Sequence, residues 1–121
     1  MSHLRPEVLA EERNDHAWEL RMRVPLELDC WPGHFPNWSV VPGVLQLDWV
    51  IEIIAKWLGC YPSLKRIERL KFKRPMEPGQ EFTMTLERGV QGETFRFCLA
   101  EGCDIFCEGC VAIEAAPGDD P

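Results

Sequence analysis

Two hydrophobic periods organise this chain. Between residues 17 and 24, Ala17, Trp18, Leu20, Met22 and Val24 alternate with Glu19, Arg21 and Arg23, the period of a half-buried strand. Residues 30–42 carry Pro32, Gly33, Pro36 and Pro42 and read as loop. A helix is predicted from Pro42 or Gly43 to about Leu58. It has no internal breaker, ends at Gly59, and is followed by Pro62. Its polar residues Asp48, Glu52 and Lys56 recur at every fourth position and form one narrow stripe. Almost everything else in it is large and apolar, from Val44, Leu45 and Leu47 through Trp49, Val50, Ile51, Ile53 and Ile54 to Trp57 and Leu58. A helix apolar around most of its circumference belongs in a core.

Beyond the helix the period returns to two. Residues 64–74 lead into a turn at Pro75, Pro78 and Gly79, and residues 81–88 set Phe82, Met84 and Leu86 against Thr83, Thr85 and Glu87. A hairpin loop at 89–92, a strand over 93–100, a turn at Glu101 and Gly102, and a last strand over 103–115 complete the set. The pattern predicts an α+β fold, with an antiparallel sheet of about five to six strands, mostly meandering after the helix and wrapped around it. Residues 1–121 are expected to form a single domain with fraying at 1–5 and 116–121.

Composition narrows the partners. A net charge of −7 argues against nucleic acid, and no apolar run approaches the ~20 residues of a membrane span. The amino end lacks the apolar core of a secretory signal, so a cytoplasmic protein is expected. Six of the thirteen basic residues, Lys65, Arg66, Arg69, Lys71, Lys73 and Arg74, fall within ten positions. Such a run reads as a solvated face or as a dock for an acidic partner. Cys107 and Cys110 have metal-ligand spacing, yet on a strand they point to opposite faces unless Gly109 makes a turn. Buried thiols are therefore the favoured reading of the six cysteines, ahead of a metal site.

Chemistry concentrates between residues 33 and 48. His34 lies in a proline-rich loop, and Asp48 sits about one turn into a greasy helix, where a carboxylate must be solvated, paired or used. Val41 cannot cap the helix start, which leaves N–H groups near Gly43 and Val44 without a local acceptor. An open helix amino end beside a glycine suits an anion or a polarised carbonyl oxygen. A base, an acid and an oxyanion donor suffice to remove a proton next to a carbonyl and expel a hydroxyl. Each also has a bland reading: His34 as a satisfied structural residue, and Asp48 as a partner of Lys56 or of a neighbouring strand.

The run Gly33-His-Phe-Pro, then Val40-Val-Pro-Gly-Val-Leu and Asp48, resembles the signature of the 3-hydroxyacyl-[acyl-carrier-protein] dehydratases of the FabA/FabZ type, which have the hotdog fold. Phe72-Lys-Arg-Pro-Met-Glu-Pro-Gly-Gln continues the likeness, and Gln-Leu-Asp-Trp in the helix resembles the ApeI-like branch. The resemblance implies dehydration of a (3R)-hydroxyacyl thioester on acyl carrier protein to the trans-2-enoyl thioester, in fatty-acid or polyene-type biosynthesis. It assigns His34 as base, Asp48 as acid and the Gly43 N–H as donor to the thioester oxygen. Val40 supplies the carbonyl that orients the histidine. Phe35, Trp38 and Val44 join Val40 as substrate-binding positions, and Trp49 is either a wall of the acyl groove or core. The basic residues 65–74 would receive the carrier protein or its phosphopantetheine. No cofactor or metal is implied beyond that arm on the substrate. A homodimer is implied, with histidine and acid from opposite chains and assembly beyond the dimer left open.

Three positions depart from the family pattern: Asn37 stands for glycine, Ser39 for proline and Glu52 for glutamine. They favour one rival, a non-catalytic hotdog subunit of a heterodimeric dehydratase; the other rival is a hotdog acyl-thioester hydrolase, in which a carboxylate such as Asp48 would activate water.

Overall fold

The computed structural model describes residues 5–25 and 40–114. Its elements are β1 (Glu7–Arg13), β2 (Ala17–Arg23), α1 (Gly43–Leu58), β3 (Leu64–Phe72), β4 (Glu81–Arg88), β5 (Thr94–Glu101) and β6 (Asp104–Ile113). All six strands join one antiparallel sheet in the order β1-β2-β4-β5-β6-β3. The expected sheet and helix are present, and the strand count is the upper of the two expected. The meander holds for β4, β5 and β6; β3 instead lies at the far edge, paired with β6. The ends expected to fray lie outside the described residues apart from Arg5.

Alternation places one face of each central strand inward. Leu20 and Met22 of β2, Phe82, Met84 and Leu86 of β4, and Phe95, Phe97 and Leu99 of β5 are all almost fully buried. Val50, Ile53 and Ile54 of α1 fill the space above them, and the Trp49 ring stacks on Phe82 with centroids 6.1 Å apart. Trp49 is thus core. The opposite side of α1 stays open in the single chain: Val44 is 75% exposed, and Leu47 and Ile51 are half-buried. Gly59 stops the helix in the left-handed region at φ 82°, donating its N–H to the Ala55 carbonyl.

β1 escaped the sequence pattern because all seven of its residues are exposed. Pairing and contacts from its neighbours place it. Asn14 Oδ1 accepts from the His16 and Ala17 amides to make the β1–β2 turn. Glu11 accepts from Trp18 Nε1 at 2.9 Å, and the Arg13 guanidinium lies over the Trp18 and Trp57 rings at 4.4 and 5.1 Å.

β3 carries a bulge. Glu68 pairs with Cys110 and Lys71 with Glu108, so Arg69 and Leu70 together face Gly109, and Arg69 takes φ 56°. A β-carbon at Gly109 would stand 2.9 Å from the Phe97 ring and 3.3 Å from Leu70 Cα, so this position has no room for a side chain. The strand runs through Gly109 without a turn. Cys107 faces the core and Cys110 the outer side, as the strand period required. Burial pushes the Cys107 thiol up to about 12, and among the described residues no group of metal-ligand side chains gathers.

On the outer face Arg21 bridges three strands. It donates to both carboxylate oxygens of Glu101, to Glu81 at 3.0 Å and to Thr83 at 3.3 Å. The Arg21 hydrogen bonds hold the Glu101 carboxyl below its ordinary value. A carboxyl depressed in the folded state adds stability above its unfolded value, and that contribution disappears as pH falls through the folded one. Arg21→Gln is therefore expected to lower Tm at neutral pH. Thermal melts across an acid titration should show the gap to the parent closing once Glu101 is protonated; a gap constant with pH would contradict this role.

Candidate active site at the amino end of the buried helix

The chain enters α1 through Pro42, which caps it in extended geometry (φ −61°, ψ 145°) with no side-chain hydrogen bond. Leu45 and Gln46 both donate to the Pro42 carbonyl, at 3.1 and 3.3 Å. Among the described residues no acceptor takes the Gly43 or Val44 N–H. The amino end expected to be open is open, and no residue in the first turn is acidic, so none offsets its partial positive charge.

An open groove of about 380 Å³ lies against this end, lined by Val41, Gly43, Gln46, Phe72, Lys73 and Arg74 together with Val40. Phe72 closes one side, and a β-carbon on Gly43 would stand 2.6 Å from its ring. Glycine here lets the aromatic wall and the helix amide share one spot. Val41 donates its N–H to the Met76 carbonyl at 2.6 Å, tying the entry strand to the turn after β3. Val44 is exposed on the helix flank.

Asp48 is exposed one turn further along α1. Among the described residues it makes no ion pair, with Lys56 or any other. Glu52 pairs instead with Arg5 at 2.9 Å, its side chain only 18% exposed, which neutralises the second carboxylate of the stripe. Tyr61 joins this group. Partial desolvation, then the Glu52 and Asp48 carboxylates, push its phenol above its ordinary value, against Arg5. Sequence reasoning missed Tyr61, since nothing in a loop tyrosine's local pattern announces neighbouring carboxylates. It also missed Gln46 and Phe72 as site walls.

His34, Phe35 and Trp38 lie outside the described residues. The basic run does not present one free face. Arg66 pairs with Glu68, Lys73 with Glu108 at 3.1 Å and Arg74 with Asp104 at 3.6 Å. Lys65, Arg69 and Lys71 have no ion pair among the described residues.

Comparison with known proteins agrees with this geometry. The family model described as ApeI-like, ApeI dehydratase, matches residues 10–110. A 3-hydroxyacyl-[acyl-carrier-protein] dehydratase FabZ from Polaromonas sp. is 40% identical over 89 residues, covering 63% of this chain and 61% of that protein. One of the same name from Bacillus cereus is 33% identical over 103 residues, covering 72% and 66%. The chain thus spans about 61% of the Polaromonas relative's length. Among solved structures, the dehydratase heterocomplex ApeI:P from Xenorhabdus doucetiae matches with TM-score 0.75 at 26% identity, over 92% of this chain and 99% of that one. A thioesterase from Haemophilus influenzae, at 14% identity and TM-score 0.56, shares the fold alone, covering 93% of this chain and 80% of that one. The sheet wrapped on one helix is the hotdog fold. Among the described residues no helix is long and apolar enough to cross a membrane.

The tight contact at the helix start gives a direct test. Gly43→Ala is expected to destabilise by roughly 1–3 kcal/mol through overpacking against Phe72. Phe72→Leu in the same chain should restore part of that loss in denaturant melts. Additive losses would show that the two positions do not touch.

Proposed function

The chain belongs to the ApeI-like dehydratase family, and from that premise we propose that it dehydrates a (3R)-hydroxyacyl thioester. The substrate rides on the phosphopantetheine arm of an acyl carrier protein, in fatty-acid or polyene-type biosynthesis, and the products are the trans-2-enoyl thioester and water. The observation that carries this reading is the amino end of α1, where the Gly43 amide has no acceptor among the described residues, beside a groove and with Asp48 exposed one turn on.

In the proposed reaction the thioester oxygen accepts from the Gly43 N–H. The His34 imidazole, oriented by the Val40 carbonyl, takes the α-proton. The electrons form the new double bond as the 3-hydroxyl leaves with a proton from Asp48. The fixed amide stabilises charge that develops on the oxygen, where a prearranged donor is worth most. Val44, Phe35 and Trp38 flank the acyl group. No metal or nucleotide enters these steps.

The acid and the base come from two chains in this proposal. β3 is an edge strand with an unpaired side, and Leu64, Leu70 and Phe72 on it are exposed together with Val44 on α1. A long edge with apolar side chains is a template for pairing with another chain. A second copy docked along β3 covers these residues and completes a homodimer. The heterocomplex seen for the Xenorhabdus relative supports a second reading, in which the partner is a different hotdog chain. Turnover by the purified chain alone decides between them. Lys65, Arg69 and Lys71, free of ion pairs among the described residues, would then meet the acidic carrier.

His34→Ala and Asp48→Asn should each lower the rate of water loss by roughly 10²–10⁴-fold, with oligomeric state unchanged. Mass spectrometry of 3-hydroxyacyl carriers reads this directly, and parental rates in both variants would refute the assignment. Release of free thiol in place of enoyl product would identify a hydrolase instead. Lys71→Glu should raise KM for the carrier-borne substrate and leave KM for a short pantetheine analogue unchanged. Equal effects on both substrates would remove the docking surface.

A further inference from the structure

Gln46 is the only buried polar side chain among the described residues, at 3% exposure. Its Nε2 donates to the Val41 carbonyl at 3.2 Å. Its Oε1 is buried with no hydrogen-bond partner among the described residues. An unmet buried acceptor is costly, so Oε1 offsets much of what the bond from Nε2 contributes to stability. The glutamine lines the same groove as Val40, Val41 and Gly43.

Two successive peptide planes at the helix entry are fixed from different directions. The Val41 N–H is held by the Met76 carbonyl on the turn after β3. In a trans peptide the carbonyl and N–H point oppositely, so this bond turns the Val40 carbonyl away from Met76. The following peptide is held through the Val41 oxygen by Gln46 of α1. Without the second anchor, the entry strand is tied on one side only.

We propose that Gln46 is a positioning residue: by holding the Val41 carbonyl it fixes the Val40–Val41 backbone and so the direction of the Val40 carbonyl. This rests on the dehydratase reading, which gives that carbonyl the task of orienting the His34 imidazole. Gln46 touches neither substrate nor reacting atoms in this account. Its effect passes entirely through the backbone five residues earlier.

Gln46→Met keeps length and shape while removing both the donor and the unmet acceptor. In the full-length chain it exchanges one unmet acceptor, Gln46 Oε1, for another, the Val41 carbonyl, so Tm is expected to stay about the same while kcat falls about tenfold, as loss of one positioning hydrogen bond would. KM should stay within about twofold, and amide exchange at Val41 should quicken. Gln46→Leu serves as the second variant if Gln46→Met does not fold. A merely structural role would give the reverse, with a lower Tm and kcat retained, and would overturn the inference. Unchanged exchange at Val41 would overturn it as well. If the unaltered chain shows no turnover, the dehydratase reading falls by itself. Exchange then still decides the brace: faster exchange supports it and equal exchange overturns it.

Discussion

Burial of α1 against the inner face of the sheet is the constraint from which the rest follows. Val50, Ile53, Ile54 and Trp49 meet Phe82, Met84, Leu86, Phe95 and Phe97, and each large side chain so buried contributes roughly 1.5–3 kcal/mol. A sixteen-residue helix is about 24 Å long, so its two ends emerge at opposite margins of the sheet. The carboxyl end is closed by Gly59. The amino end meets Phe72 of β3 and the turn that carries Met76, and among the described residues no side chain caps it.

Among the described residues, the same packing leaves one flank of α1 and the outer edge of β3 short of neighbours. A single six-stranded sheet with one helix covers the helix on one side only, so Val44 and Asp48 face outward beside an edge strand. Apolar exposure next to an unpaired edge is a feature of chains that pair. The proposed catalytic acid sits on that flank. Site and interface then become one problem in packing rather than two.

Much of this was legible in the sequence because it rests on local period. The helix from Gly43 to Leu58 and the strands from 17, 64, 81, 94 and 104 appear where the two hydrophobic periods put them. β1 was not legible, since an edge strand with every residue exposed has no buried face to imprint a period on it. The bulge at Arg69 was hidden too, because its cause is the room above Gly109 on another strand. At the site, Gly43 and Asp48 could be read from spacing along one element. Gln46 could not: in an apolar helix it reads only as an interruption. Its meaning depends on where the chain before Pro42 passes. The pairing of the basic run was legible only in part: Glu68 lies beside Arg66 on β3, while Glu108 and Asp104 reach Lys73 and Arg74 from β6.

Among the described residues, the unmet polar groups of the helix ends and the buried side chains are not scattered. Gly43 N–H, Val44 N–H and Gln46 Oε1 lie within one helical turn, while the helix end at Gly59, the β1–β2 turn at Asn14 and the Arg21 cluster are all satisfied. A serine or aspartate at the cap would take the Val44 N–H and strengthen the fold. Strain of this kind persists where surrounding structure over-determines it, and here the sheet, Phe72 and Met76 hold the helix entry in place whatever its first turn lacks. Two donors without internal acceptors among the described residues, at the mouth of a groove, are what the thioester oxygen of the proposed reaction would find on arrival. Stability is thus given up at the end of α1 where the proposed chemistry would need open donors.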